Sequence, residues 1–142
     1  MIKTNIFVLL AVLILVWGCS FADPDEKAIK EMLTSFVTSL ERDDEDLGRA
    51  CMLDRNSFSV LNPQASKRMD AEDFTERILS ELLYSYRQLT EHYKGHELKL
   101  KKFTVGNVWY QYRGRLAFQN SVIIITVNGA EEEIPIKGLV KI

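Results

Sequence analysis

The apolar residues of this chain change their spacing once, near Gly95, and that change restricts the fold more than any motif does. Before it they recur every three or four residues: Ile29, Met32, Leu33, Phe36, Val37 and Leu40 fall on one stripe of a helix. After it they alternate, with Leu98 and Leu100 between Lys99 and Lys101, and Val108, Tyr110 and Tyr112 between Trp109, Gln111 and Arg113. Helices followed by a run of antiparallel strands make an α+β domain.

The stop and start signals divide these stretches. Asp23-Pro24-Asp25-Glu26 holds a capping aspartate, a proline suited to the first helical position and a glutamate three residues after the cap, which predicts a helix over 24–41. The acidic run Asp43–Asp46 suits the start of a short second helix with Leu47, Ala50, Cys51 and Leu53 inward. The run lacks the alternating oxygens and the glycine of a calcium loop. Residues 54–69 read as irregular, broken at Asn62-Pro63, with Phe58–Leu61 expected as a short strand. A long helix is predicted from Asp70 to Tyr93, ended by Gly95. It carries two stripes, Phe74, Ile78, Leu82, Leu89 and Tyr93 beside Leu79, Leu83 and Tyr86, so it needs cover on two sides.

In the strand region a parity change predicts a bulge near Lys101-Lys102, and Gly106-Asn107 reads as a turn. Leu116 and Phe118 continue the even parity past Gly114. Val122–Val127 is apolar on both faces, as in a central strand, and Asn128-Gly129 signals a tight hairpin. Ile134, Ile136, Val140 and Ile142 share one face of its partner, while Pro135 places that partner at an edge or a bulge. No repeat or linker interrupts residues 23–142, which are expected as a single domain.

Residues 1–22 stand apart. They carry one charge, Lys3, and an unbroken apolar run from Ile6 to Trp17, shorter than the roughly 20 residues that cross a bilayer core, so they read as a cleavable signal helix. Ser20-Phe21-Ala22 offers small residues for cleavage before Asp23. Beyond residue 22 the chain holds all 20 acidic and 17 of the 18 basic residues, a formal net charge of −3. That charge does not suit nucleic-acid binding, and none of the seven glycines builds a phosphate loop; no cofactor is expected. Processing uses or removes Cys19 and leaves Cys51 single, expected as a small buried core residue.

Val16-Trp17-Gly18-Cys19 resembles the lipobox of bacterial lipoproteins, with Trp17 where that pattern prefers a small or aliphatic residue. The resemblance implies lipid attachment at Cys19, and Ser20 after it resembles the outer-membrane sorting type; the expected location is the cell envelope, facing the periplasm. Cleavage before Asp23 instead implies a soluble periplasmic or secreted protein. The order of elements over about residues 25–142 resembles the nuclear transport factor two-like superfamily, with its SnoaL-like and ketosteroid isomerase-like members. It implies a curved, mostly antiparallel sheet wrapped around a long helix, with a pocket at the open end of the cone.

In isomerase-type members an aspartate base faces a tyrosine-containing oxyanion hole, and the corresponding material here is Asp54 with Tyr110 and Tyr112. His92 and His96, four apart, suit a two-ligand metal site only on a continuous helix, and no further ligand is evident. The basic set Lys99, Lys101, Lys102, Arg113 and Arg115 reads as a solvated sheet face balanced by Glu131–Glu133, and Trp109, Val122 and Ile124 as an outer apolar patch suited to a homodimer or an envelope partner. The leading reading is a non-catalytic, lipid-anchored protein that binds a small apolar ligand or a protein partner. The alternatives are a small periplasmic isomerase- or dehydratase-like enzyme and a structural accessory subunit.

Overall fold

A computed structural model describes residues 14–17, 26–112, 115–136 and 138–141. The helical stripe of the sequence becomes α1 (Glu26–Arg42), which buries Ile29, Leu33, Phe36, Val37 and Leu40. Its expected start at residues 23–25 lies outside the described residues. Asp43 turns left-handed at φ 53°, and Asp44 then caps α2 (Glu45–Ala50) by accepting from the Leu47 amide at 3.1 Å.

The region 54–69 is helical, which corrects the strand expected at Phe58–Leu61. Asp54 accepts from the Ser57 amide at 2.7 Å and starts α3 (Arg55–Leu61); Asn62 accepts from Ala65 at 3.1 Å and starts α4 (Pro63–Lys67). Two side-chain caps and a proline at the first helical position outweigh the β preference of a four-residue apolar run. Asp70 and Asp73 then form a reciprocal capping box before α5 (Ala71–Phe74). The helix continues through a π turn (Thr75–Leu79) into α6 (Ser80–Tyr93), and Gly95 at φ 80° follows its end, so the long helix runs where the sequence placed it.

The strands are β1 (Ile14–Trp17), β2 (Leu98–Thr104), β3 (Asn107–Tyr112), β4 (Arg115–Gln119), β5 (Ser121–Val127), β6 (Ala130–Ile136) and β7 (Gly138–Lys141). They pair in the orders β1-β7-β4-β3 and β2-β5-β6. β2 and β3 follow one another through Val105-Gly106, and β4 and β5 through Asn120, so each pair passes from one set of strands to the other. Gly106-Asn107 is therefore a bend within a strand and not the expected reversal. A Cβ at Gly106 would collide with the carbonyl of Gln119, so the bend requires glycine, and its amide donates to Ser121 Oγ at 3.0 Å. The reversal falls between the paired residues Tyr112 and Arg115, so Leu116 and Phe118 lie on a returning strand. Asn120, at φ 59°, lies between β4 and β5.

Other expectations of the sheet hold. Register shifts between Leu100 and Lys102, β5 is central, and Pro135 sits on β6 at an edge opposite Val122. Asn128 and Gly129, at φ 50° and 88°, make the hairpin between the paired residues Val127 and Ala130. Ile123, Ile125, Ile134 and Ile136 join the core formed with α1 and with Leu82, Tyr86, Leu89 and Tyr93 of α6. The architecture is thus α+β, helices on an antiparallel sheet.

Ile14–Trp17, expected as the end of a leader helix, is instead a strand that pairs in parallel with β7 and completes its edge. An aliphatic and aromatic run is well suited to such an edge. The rest of the expected leader, including Gly18 and Cys19, lies outside the described residues. Among the described residues no helix is long and apolar enough to cross a membrane.

Candidate ligand-binding cleft

The caps that make α3 and α5 also shape a depression between them. Cys51–Leu53 is the short bridge from α2 to α3, and all three residues are buried. Across from it run α5 and the π turn. The space between is a cleft of about 300 Å³, open to solvent. Met52, Leu53 and Phe74, each 4% exposed, form its floor. Ala71, Thr75 and Leu79 form one wall, and Arg49, Asp54 and Arg55 stand at its rim. The wall thus includes both ends of the π turn, a widened turn of the kind found often at functional sites. Phe58 holds Phe74 in place, ring centroids 5.7 Å apart.

The rim is cationic. Glu45, an acid whose field reaches Arg49, is already paired with Arg87, Nε to Oε1 at 2.7 Å. That hydrogen bond holds the Glu45 carboxyl below its ordinary value, against a smaller effect of burial. Asp54 spends one oxygen on the Ser57 amide. Among the described residues no ion pair includes Arg49 or Arg55.

Of the expected acid–base set, Asp54 lines this cleft, and it is there as a helix cap. Tyr110 and Tyr112 lie on β3, their side chains outside the described part of the chain. His92 is exposed in the last turn of α6, its ring 4.6 Å from that of Tyr93, edge to face. His96 lies past Gly95, its Nδ1 2.9 Å from Asn128 Nδ2, so the two histidines do not share a helix face. Among the described residues no group of three or more His, Cys, Asp or Glu is placed to hold a metal ion.

Cys51 is buried as expected. Its Sγ donates to the carbonyls of Met32 and Leu47, each at 3.6 Å, and burial pushes the thiol up to about 11. On the sheet, Lys101 pairs with Glu131 and Lys99 with Glu97. Of the outer apolar patch, Val122 and Ile124 are half-buried, and the Trp109 side chain lies outside the described part.

One polar pair was not foreseen. Tyr93 Oη and Glu132 Oε2 are both buried near each other, and among the described residues neither makes a hydrogen bond of ordinary geometry. Burial first, and then the neighbouring Glu132 carboxylate, hold the Tyr93 phenol far above its ordinary value. Glu132 has the strand parity of Ile134 and Ile136, which is the signal that it turns inward.

Compared with known proteins, the chain matches no family model, no curated protein and no solved structure.

Proposed function

We propose that this chain is an exported, lipid-anchored protein of the cell envelope that binds a small apolar ligand in the cleft between α3 and α5. The observation that carries the reading is the floor of Met52, Leu53 and Phe74, buried among protein yet lining space open to solvent. A volume of about 300 Å³ is at the small end of ligand pockets, and an apolar lining with a few polar groups at the mouth is their usual composition. Methionine at the floor suits ligands of variable shape, since its unbranched thioether side chain repacks at low cost. The anchor rests on Val16-Trp17-Gly18-Cys19, and two or more acyl chains on Cys19 hold a protein stably at a membrane.

Native mass spectrometry of the full-length chain, expressed in a two-membrane bacterium and extracted in mild detergent, tests both halves. The expected result is a mature chain beginning at acylated Cys19 with an adduct that leaves on collision. An unacylated chain beginning at Asp23 refutes the anchor. An adduct that survives a Thr75→Trp substitution, which fills the wall of the cleft, refutes the site.

A further inference from the structure

We infer that the ligand of this cleft is a single-chain anionic amphiphile, its chain on the apolar floor and a carboxylate-class head held by Arg49 and Arg55. The inference rests on the cleft being the binding site and adds what the site selects. Arg49 and Arg55 both line the same, mostly apolar space. Each is exposed, neither is in an ion pair among the described residues, and Glu45 and Asp54 are engaged elsewhere, with Arg87 and with the cap of α3. Arg55 gains nothing from its own helix, because a cation in the first turn meets the positive end of the dipole. With two cations against the single carboxylate of Asp54, the mouth carries a net positive charge above a floor that binds hydrocarbon. A planar guanidinium presents paired donors that match a carboxylate, a match that a neutral alcohol head lacks. The small volume selects one short chain over a two-chain lipid.

The test is equilibrium dialysis of the mature, lipidated chain in lipid nanodiscs against labelled octanoate, with 1-octanol as the neutral match and empty nanodiscs as the blank. Wild type is expected to bind octanoate about tenfold more tightly than 1-octanol, since two exposed charge contacts each contribute a few-fold. The double variant Arg49→Gln/Arg55→Gln is expected to bring octanoate down to the alcohol and leave the alcohol unchanged. Thr75→Trp is expected to remove both. Equal affinity for octanoate and 1-octanol in wild type, or an octanoate preference that persists in the double variant, overturns the anionic-head inference and leaves the cleft standing. If neither probe binds more to wild type than to Thr75→Trp, the cleft itself fails as the site.

Discussion

Gly48 gives a sharp test of how α2 packs on the long helix. It is a buried glycine inside a six-residue helix, and on helix propensity alone alanine there is better by about 0.8–1 kcal/mol. The packing predicts the opposite. A Cβ at Gly48 would stand 2.5 Å from both Cε2 and Cζ of Tyr86 and 2.7 Å from its hydroxyl. That ring is 1% exposed, has Phe36 at 6.2 Å between centroids, and donates from its hydroxyl to the Asp44 carbonyl at 3.1 Å. It cannot swing away without giving up the hydrogen bond, about 1 kcal/mol, and disturbing the core. Overpacking of this kind costs about 1–3 kcal/mol. Gly48→Ala should therefore destabilise the fold by about 1–3 kcal/mol after the propensity gain is subtracted. Urea unfolding followed by circular dichroism measures it: a slope of about 1–3 kcal/mol per molar puts the midpoint roughly 1 M lower, with the slope unchanged. Combining it with Tyr86→Leu should cost less than the two single changes summed, because the smaller side chain leaves room for the methyl group. A midpoint that rises in Gly48→Ala, as propensity demands, refutes the account of this contact.

Where the sequence was misread, one signal had two physical meanings. Phe58–Leu61 is a four-residue apolar run, which suits a strand or a buried turn of helix equally. The deciding information lay in Asp54 and Asn62-Pro63, whose side chains cap the helices on either side. A glycine marks a reversal or a close approach of two backbones. Gly106 is the second kind, and only the Gln119 carbonyl, thirteen residues away in the chain, distinguishes them. The hairpin at Asn128-Gly129 and the bulge near Lys101 were legible because turn chemistry and parity are local. The cleft was not legible. Leu82, Tyr86, Leu89 and Tyr93 make the buried stripe of α6, and of the second stripe Leu79 and Leu83 are only half covered. Leu79 lines the cleft, where the sequence pattern called for cover by another element. Neither Arg49 nor Arg55 carried any spacing relation to Phe74 and Leu79. What joins them is the packing of α3 against α5, and a sequence pattern does not contain it.

Three further outcomes follow from named contacts. Cleavage ahead of Cys19 removes β1 from β7, so amides of Leu139–Lys141 should exchange at least tenfold faster in the processed chain than in the unprocessed precursor, while those of central β5 stay protected; equal exchange at β7 refutes the pairing of Ile14–Trp17. Tyr93→Phe removes a buried hydroxyl that makes no hydrogen bond of ordinary geometry among the described residues, so the urea midpoint should hold or rise by the equivalent of up to about 1 kcal/mol. A loss above that size shows instead that the hydroxyl donates to Glu132. The pH dependence has a sign set by the same burial. Folding raises the Cys51 thiol from 9.0 to about 11, so the folded chain holds this proton more tightly than the unfolded chain does. The stability tied to that proton is complete below pH 9 and is lost as pH rises toward 11. Burial raises Tyr86 and Tyr93 above their ordinary 10.0, which adds losses of the same sign from pH 10 upward. The urea midpoint of wild type should therefore begin to fall near pH 9, and that of Cys51→Ala only near pH 10, where the tyrosines take over. Parallel curves for the two proteins would mean that the Cys51 thiol is not held in the core, and with it the bridge that floors the cleft would lose its anchor.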